Sequence, residues 1–137
     1  PDPKLVKLAD GADLLIYDAQ YDDEEYAGLA GPPRTGWGHS TFSEGVRVAD
    51  AARVRQLALY HHDPTHSDDK VRELERRAAI LRPGSFACRE GQTVVLAAAA
   101  AHSAQADVGS AATGTSHAER GAEAQRASAT GRGLVAA

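Results

Sequence analysis

The sequence predicts an α/β fold in which short buried strands alternate with helices. Two apolar runs, residues 12–17 and 56–60, have the length of strands and are too short for independent helices. Apolar residues recur at helical spacing in residues 43–53 and 67–81, which lie between and after these runs. An order of strand, helix, strand and helix is typical of an α/β domain.

The elements before residue 42 are short. Residues 3–9 form an amphipathic segment that stops at Gly11, and the strand over residues 12–17 follows. Acidic side chains at residues 22–25 suit the positive end of a helix dipole, which favours a helical turn there. Residues 28–38 contain Gly-Pro-Pro and Gly-Trp-Gly, so we predict a loop.

Capping residues mark the starts of the two longer helices. Ser40 or Thr41 caps the first, and Glu44 supplies the acid of a capping box if Thr41 is the cap. Ser67, followed by two aspartates, is a strong start for the second. Pro-Gly breaks this helix at residues 83–84. Residues 85–88 and 93–96 are then predicted to be two strands that pair as a hairpin around residues 89–92.

Composition divides the chain near residue 96. Residues 1–96 contain all the aromatic side chains, and we predict that they form one domain. Residues 97–137 are a low-complexity tail rich in Ala, Gly and Ser. Such a segment buries too little apolar surface to offset the entropy of ordering it, so we expect it to be disordered.

Charge and cysteine content restrict the partners and the compartment. The net charge of −4, without a basic stripe, gives no strong signal for nucleic-acid binding. The single cysteine, Cys88, cannot form an internal disulfide, which fits a reducing cytoplasm. No apolar run approaches the roughly 18 residues that span a bilayer. We therefore expect a cytoplasmic protein with no membrane partner, and the sequence leaves its oligomeric state open.

Polar residues that close or flank the apolar runs are the candidate site residues. His39 lies in the Gly-Trp-Gly-His-Ser-Thr segment of residues 36–41, and Asp18 ends the first strand. Catalytic groups of α/β folds gather at loops beyond the strand ends. His39 could protonate a leaving oxygen, and Asp18 could orient it through a hydrogen bond. The alternatives are a surface histidine in a turn and an exposed or loop-capping aspartate.

His61 and His62 follow the second strand. Strand alternation sends their side chains to opposite faces, so at most one points into a given site. A lone histidine at a strand end is more often a local hydrogen-bonding group than a metal ligand, and the spacing alone is no zinc signature.

Together these motifs resemble the metallo-β-lactamase-fold hydrolases, in the branch that contains ribonuclease Z and related phosphodiesterases. The resemblance rests on Leu-Leu-Ile-Tyr-Asp-Ala-Gln-Tyr at residues 14–21, Gly-His-Ser-Thr at 38–41, Leu-Ala-Leu-Tyr-His-His-Asp-Pro at 57–64 and Glu-Gly at 90–91. It covers roughly residues 3–96, which correspond to the carboxy-terminal half of a typical domain of that family.

The resemblance implies half of an αββα sandwich, with two divalent metal ions, usually zinc, at one edge of the sheets. His61 matches the last metal-binding histidine, and the neighbouring His62 keeps open an assignment one residue later. His39 matches the histidine that assists phosphodiester cleavage. Asp18 lies where that branch often carries a glutamate, which is one methylene longer. The implied substrate is a phosphodiester or nucleotide that a metal-activated water attacks.

The H-x-H-x-D-H metal cluster that defines this family does not occur in the sequence. The chain begins at Pro1 and contains no methionine, so we expect it to be a piece of a longer protein whose amino-terminal part carries the cluster. One histidine cannot hold two divalent ions, so we expect the chain alone to bind no metal stably and to be inactive. The alternative function is a non-catalytic α/β scaffold or interaction module.

Overall fold

The computed structural model describes residues 1–96 and 132–136. The elements in these residues are α1 (Pro3–Ala9), β1 (Ala12–Asp18), α2 (Asp23–Ala27), α3 (Phe42–Ala51), β2 (Gln56–Tyr60), α4 (Asp68–Leu81), β3 (Ser85–Ala87) and β4 (Arg132–Ala136). The predicted alternation of strands and helices is confirmed. None of the described helices has the length and apolar character needed to cross a membrane.

The strands form one parallel sheet in the order β3-β2-β1-β4. The helix α3 connects β1 to β2, and α4 connects β2 to β3. In the register between β1 and β2, Asp18 pairs with Tyr60. Because the strands are parallel, their carboxyl ends lie at one edge of the sheet, and the loops that follow β1 and β2 meet there.

The core lies between the sheet and the helices. Strand alternation places Leu15, Leu57 and Leu59 on the same face, where they are fully buried against α3 and α4. The other face of the sheet carries Leu14 and Ile16 together with apolar side chains of β2, β3 and β4. The helices thus cover one face of the sheet, and apolar residues occupy both.

Side-chain caps explain where the helices begin. Thr41 is the cap of α3, since its Oγ1 accepts the backbone N–H of Glu44 at 3.2 Å. The capping box that was predicted for Thr41 and Glu44 does not form, because the Glu44 carboxylate pairs with Arg47 at 2.6 Å instead. A complete box forms at α2, where Asp22 accepts the N–H of Glu25 at 2.8 Å and Glu25 accepts that of Asp22 at 2.9 Å.

The predicted hairpin is wrong. The strand β3 pairs in parallel with β2, and residues 93–96 lie in no strand. The helix α4 returns the chain across the sheet, so β3 reaches the edge of β2 and this long-range pairing replaces the local one.

The expected disorder of the tail is wrong for residues 132–136, which form β4 and pair along β1. Residues 97–131 and 137, on which the rest of that prediction falls, lie outside the described residues. The boundary at residue 96 stays a prediction.

Candidate functional site

Three polar side chains meet at the carboxyl edge of the sheet. Asp18 ends β1, His39 lies just before α3, and His61 directly follows β2. One potential ligand atom from each lies within 4.8 Å of the others, and no other such trio of His, Cys, Asp or Glu occurs in the described residues. The structure thus brings together the three residues that the sequence singles out, whereas their roles remain predictions.

Asp18 contacts both imidazoles through a single oxygen atom. The Nδ1 atom of His39 lies 3.0 Å from Asp18 Oδ2, and the Nδ1 atom of His61 lies 2.9 Å from the same oxygen. The other oxygen, Oδ1, accepts the backbone N–H of Ser40 at 3.0 Å and that of Gln20 at 3.3 Å. Since two backbone amides hold Oδ1, the carboxylate is fixed with Oδ2 toward the rings.

The environment favours the ionised form of Asp18. Burial raises the pKa of this carboxyl, but hydrogen bonds from the Ser40 amide and from the two imidazoles outweigh burial and bring the pKa below its usual value of 3.8. A carboxylate that faces Nδ1 favours a proton on that nitrogen. In its neutral form each ring then carries its lone pair on Nε2, and a protonated ring carries a second proton there.

The backbone explains why His61 lies beside Asp18 and His62 does not. His61 has a φ of +59°, in the left-handed region that non-glycine residues seldom adopt. The carbonyl of Tyr60 still accepts the N–H of Ala19 at 2.9 Å, so the strand pairing extends to this point and the chain turns immediately after it. Strand alternation could not predict the resulting side-chain direction.

His62 points into the protein. Both of its ring nitrogens are buried, and neither makes a hydrogen bond of normal geometry with any residue that the structure describes. Burial, with a contribution from nearby His66, lowers the pKa of His62, which favours its neutral form. In this structure the imidazole beside Asp18 is therefore that of His61.

Tyrosines that the sequence analysis did not single out support the site. The ring of Tyr21 meets His39 edge-on, with the centroids 6.3 Å apart, and the ring of Tyr60 stacks on His61 at the same distance. The hydroxyl of Tyr17 lies 3.1 Å from Ser40 Oγ, which anchors the residue next to His39. Alternation along β1 identifies Tyr17 as a core residue, but no sequence signal indicates its bond to Ser40.

The donor set suits a divalent ion in part. Two imidazole nitrogens and a carboxylate oxygen are ligands that zinc accepts. If Asp18 keeps its bonds to the two Nδ1 atoms, the Nε2 atoms are the ones left for a metal or a substrate. The described residues place no further His, Cys, Asp or Glu cluster beside these three. A centre with two metal ions therefore needs ligands from outside the described residues.

Known proteins resemble about two thirds of this chain. Ribonuclease Z from Gemmatimonas aurantiaca is 37% identical over 89 residues, which cover 65% of this chain and 26% of that protein. Ribonuclease Z from Haloferax volcanii is 36% identical over 87 residues, which cover 64% of this chain and 26% of that protein. The chain thus spans about a quarter of the length of these relatives.

A solved structure shares the fold. The metallo-β-lactamase fold protein YhfI from Bacillus subtilis matches 65% of this chain with a TM-score of 0.51 and 21% sequence identity, and the match covers 33% of that protein. No family model matches the chain.

Proposed function

Because this chain belongs to the metallo-β-lactamase superfamily, we propose that it forms one wall of a metal-dependent hydrolase site that cleaves phosphodiester bonds. The observation that carries the proposal is the single oxygen of Asp18 that both His39 and His61 contact. The two relatives from Gemmatimonas aurantiaca and Haloferax volcanii are ribonucleases, which supports a nucleotide or RNA phosphodiester as the substrate.

In this proposal His61 is a metal ligand. Donation of its Nδ1–H to Asp18 fixes the ring and leaves Nε2 for a divalent ion, with zinc the best match to an imidazole donor. When bound, the ion stabilises charge on the phosphoryl oxygens and activates a water molecule. Asp18 contributes through the orientation of the imidazole and need not touch the metal.

His39 is the proton donor to the leaving group. Its ring is partly exposed, so Nε2 can approach a substrate, while Nδ1 stays bonded to Asp18. As the bond between phosphorus and the leaving oxygen breaks, the proton on Nε2 passes to that oxygen. The Asp18 carboxylate stabilises the charged imidazolium before this transfer.

We propose that the isolated chain has negligible turnover. The trio can serve one ion, and the ligands of a second ion have no source in the described residues. The active protein would therefore combine this chain with a segment that carries an H-x-H-x-D-H cluster.

The decisive experiment measures metal content and hydrolysis of bis(p-nitrophenyl) phosphate in the full-length protein. At least one zinc ion per chain is expected, His61→Gln should lose metal, and His39→Gln should lose turnover while it keeps metal. His62→Gln is the matched control for the neighbouring position and should keep its metal. A protein with far less than one metal per chain, which added zinc does not activate, would instead support a non-catalytic scaffold.

A further inference from the structure

The loop between α2 and α3 carries an arginine that the proposed chemistry does not use. The guanidinium of Arg34 lies over the indole of Trp37, with Cζ 4.6 Å from the ring centroid, and also faces the ring of Tyr21 at 5.7 Å. Trp37 is the only tryptophan of the chain, and 58% of its surface is exposed. Contacts with the two rings hold the charged group in place near the site.

The N–H groups of the Arg34 guanidinium are available for hydrogen bonding. Among the residues that the structure describes, its guanidinium makes ring contacts but no ion pair and no side-chain hydrogen bond. Asp63 is close enough for Arg34 to lower its pKa, but the Oδ1 atom of Asp63 is engaged by the hydroxyl of Thr65 at 2.6 Å and by its N–H at 2.8 Å. The planar guanidinium of Arg34 can therefore bind an anion through paired N–H donors.

A polar cavity lies beside this arginine and shares Tyr21 with the surroundings of His39. Its volume is about 200 Å³, and Arg34, Tyr21 and Asp63 are among the residues that line it. Tyr21 also contacts His39, so the cavity lies one ring away from the proposed proton donor. Both carboxylates in its wall have partners of their own, Glu25 with His66 at 2.9 Å and Asp63 with Thr65, and Arg34 is the cationic side chain in the lining.

Two glycines shape the segment that presents the indole. Gly36 and Gly38 have φ values of +82° and +90°, which residues with a Cβ rarely adopt. They flank Trp37, and the backbone turns at both positions while the indole stays outside the core. One face of the ring is covered by Arg34, and the exposure of the side chain leaves room for a second flat group.

We propose that Arg34 and Trp37 form a nucleotide-binding subsite beside the catalytic trio, in which Arg34 binds a phosphate and Trp37 stacks on the base. The inference rests on the proposed function, since it places a nucleotide next to the scissile bond. Paired N–H donors suit a phosphate, and an exposed indole suits any nucleobase. The substrate class is accordingly a phosphodiester that bears an aromatic base, and simple alkyl phosphodiesters bind less tightly.

The fluorescence of Trp37 provides a direct test that needs no metal. Adenosine monophosphate, adenosine and inorganic phosphate are titrated separately into the complete 137-residue chain. The nucleotide should quench the indole and bind at least about tenfold more tightly than either of its parts. Arg34→Gln should weaken nucleotide binding by roughly tenfold.

Matched variants separate the subsite from general effects. Arg53→Gln removes the same charge at the opposite end of β2, where Arg53 pairs with Asp10, and should leave the affinity unchanged. Trp37→Phe keeps a ring and Trp37→Ala removes it, so calorimetry should detect nucleotide binding in the first and weaker binding in the second. Circular dichroism verifies that each variant is folded.

Equal affinities for the nucleotide and for phosphate would overturn the inference, as would an Arg34→Gln variant that binds like the wild type. In the full-length protein, Arg34→Gln should raise KM for a ribodinucleotide at nearly constant kcat, and an unchanged KM counts against the subsite. Nucleotide binding in a protein that hydrolyses nothing would overturn the proposed function and leave the subsite standing.

Discussion

The replacement Asp18→Asn tests the shared carboxylate with a minimal change of shape. The amides of Ser40 and Gln20 donate to Oδ1, so the asparagine side chain must keep its carbonyl oxygen there. Its NH2 group then takes the place of Oδ2 and faces the Nδ1 atoms of His39 and His61. Because that group donates, both Nδ1 atoms must accept, and the proton of each ring moves to Nε2.

The expected loss of metal binding and hydrolysis follows from the two hydrogen bonds to Asp18 Oδ2 that the substitution removes. The bonds at 3.0 Å and 2.9 Å are charge-assisted, and bonds of this kind contribute about 1.5–3 kcal/mol each. The loss of a group that orients a metal-binding histidine typically weakens metal binding by about 10–100-fold, which is roughly 1.4–2.7 kcal/mol. Hydrolysis should fall further, since proton donation contributes about 10²–10⁴-fold to the rate.

Nitrogen NMR of the imidazole rings is the direct assay. Under conditions where the rings are neutral, the wild-type chain should show both protons on Nδ1, and Asp18→Asn should show them on Nε2. Zinc affinity is measured in a protein that joins this chain to a segment carrying an H-x-H-x-D-H cluster. Asp13→Asn is the control, because it makes the same replacement at the other end of β1, where Asp13 pairs with Arg55 at 3.0 Å. Unchanged tautomers in Asp18→Asn, or an equal loss of affinity in Asp13→Asn, would refute the reasoning.

Three further predictions concern stability. Asp22→Asn keeps an N-cap oxygen but loses the charge that pairs with Lys70 at 2.6 Å, so it should lower the free energy of unfolding in urea by about 1.5–3 kcal/mol near neutral pH. Hydrogen bonds from the Glu25 amide and from Lys70 outweigh burial and lower the pKa of Asp22. The wild-type advantage should therefore shrink as the pH falls below 3.8, the usual value. Gly45→Ala would place Cβ 2.8 Å from Tyr17 Cδ1, so a thermal melt should show a loss of about 1–3 kcal/mol, and a gain would contradict the packing. Leu57→Ala, at a fully buried position, should cost about 2–5 kcal/mol in chemical denaturation.

Local sequence signals predicted the elements that position the site. The apolar run at residues 56–60 matches β2 at both ends, and β1 extends just one residue beyond its predicted end, to Asp18. The caps at Thr41 and Ser67 were identifiable because a side chain and a backbone amide only a few residues away satisfy each other. These features depend on neighbours in the sequence, so the sequence alone sufficed.

Features that depend on distant partners could not be predicted. The pairing of β4 with β1 joins segments more than a hundred residues apart, and the surrounding composition gives no sign of it. The side-chain direction of His61 requires a left-handed φ that the strand pattern argues against. The position of Arg34 over Tyr21 depends on how the loop between α2 and α3 lies against the residues that follow β1.

The geometry of the site depends on the register between β1 and β2. Asp18 pairs with Tyr60, so His61 is the first residue beyond the ladder, and a slip of one residue would move it about 3.3 Å and break its 2.9 Å bond to Asp18. Such a slip would also turn Leu57 out of the core, because the side chains of a strand alternate between faces. Hydrophobic burial and the position of the imidazole are thus fixed by the same pairing.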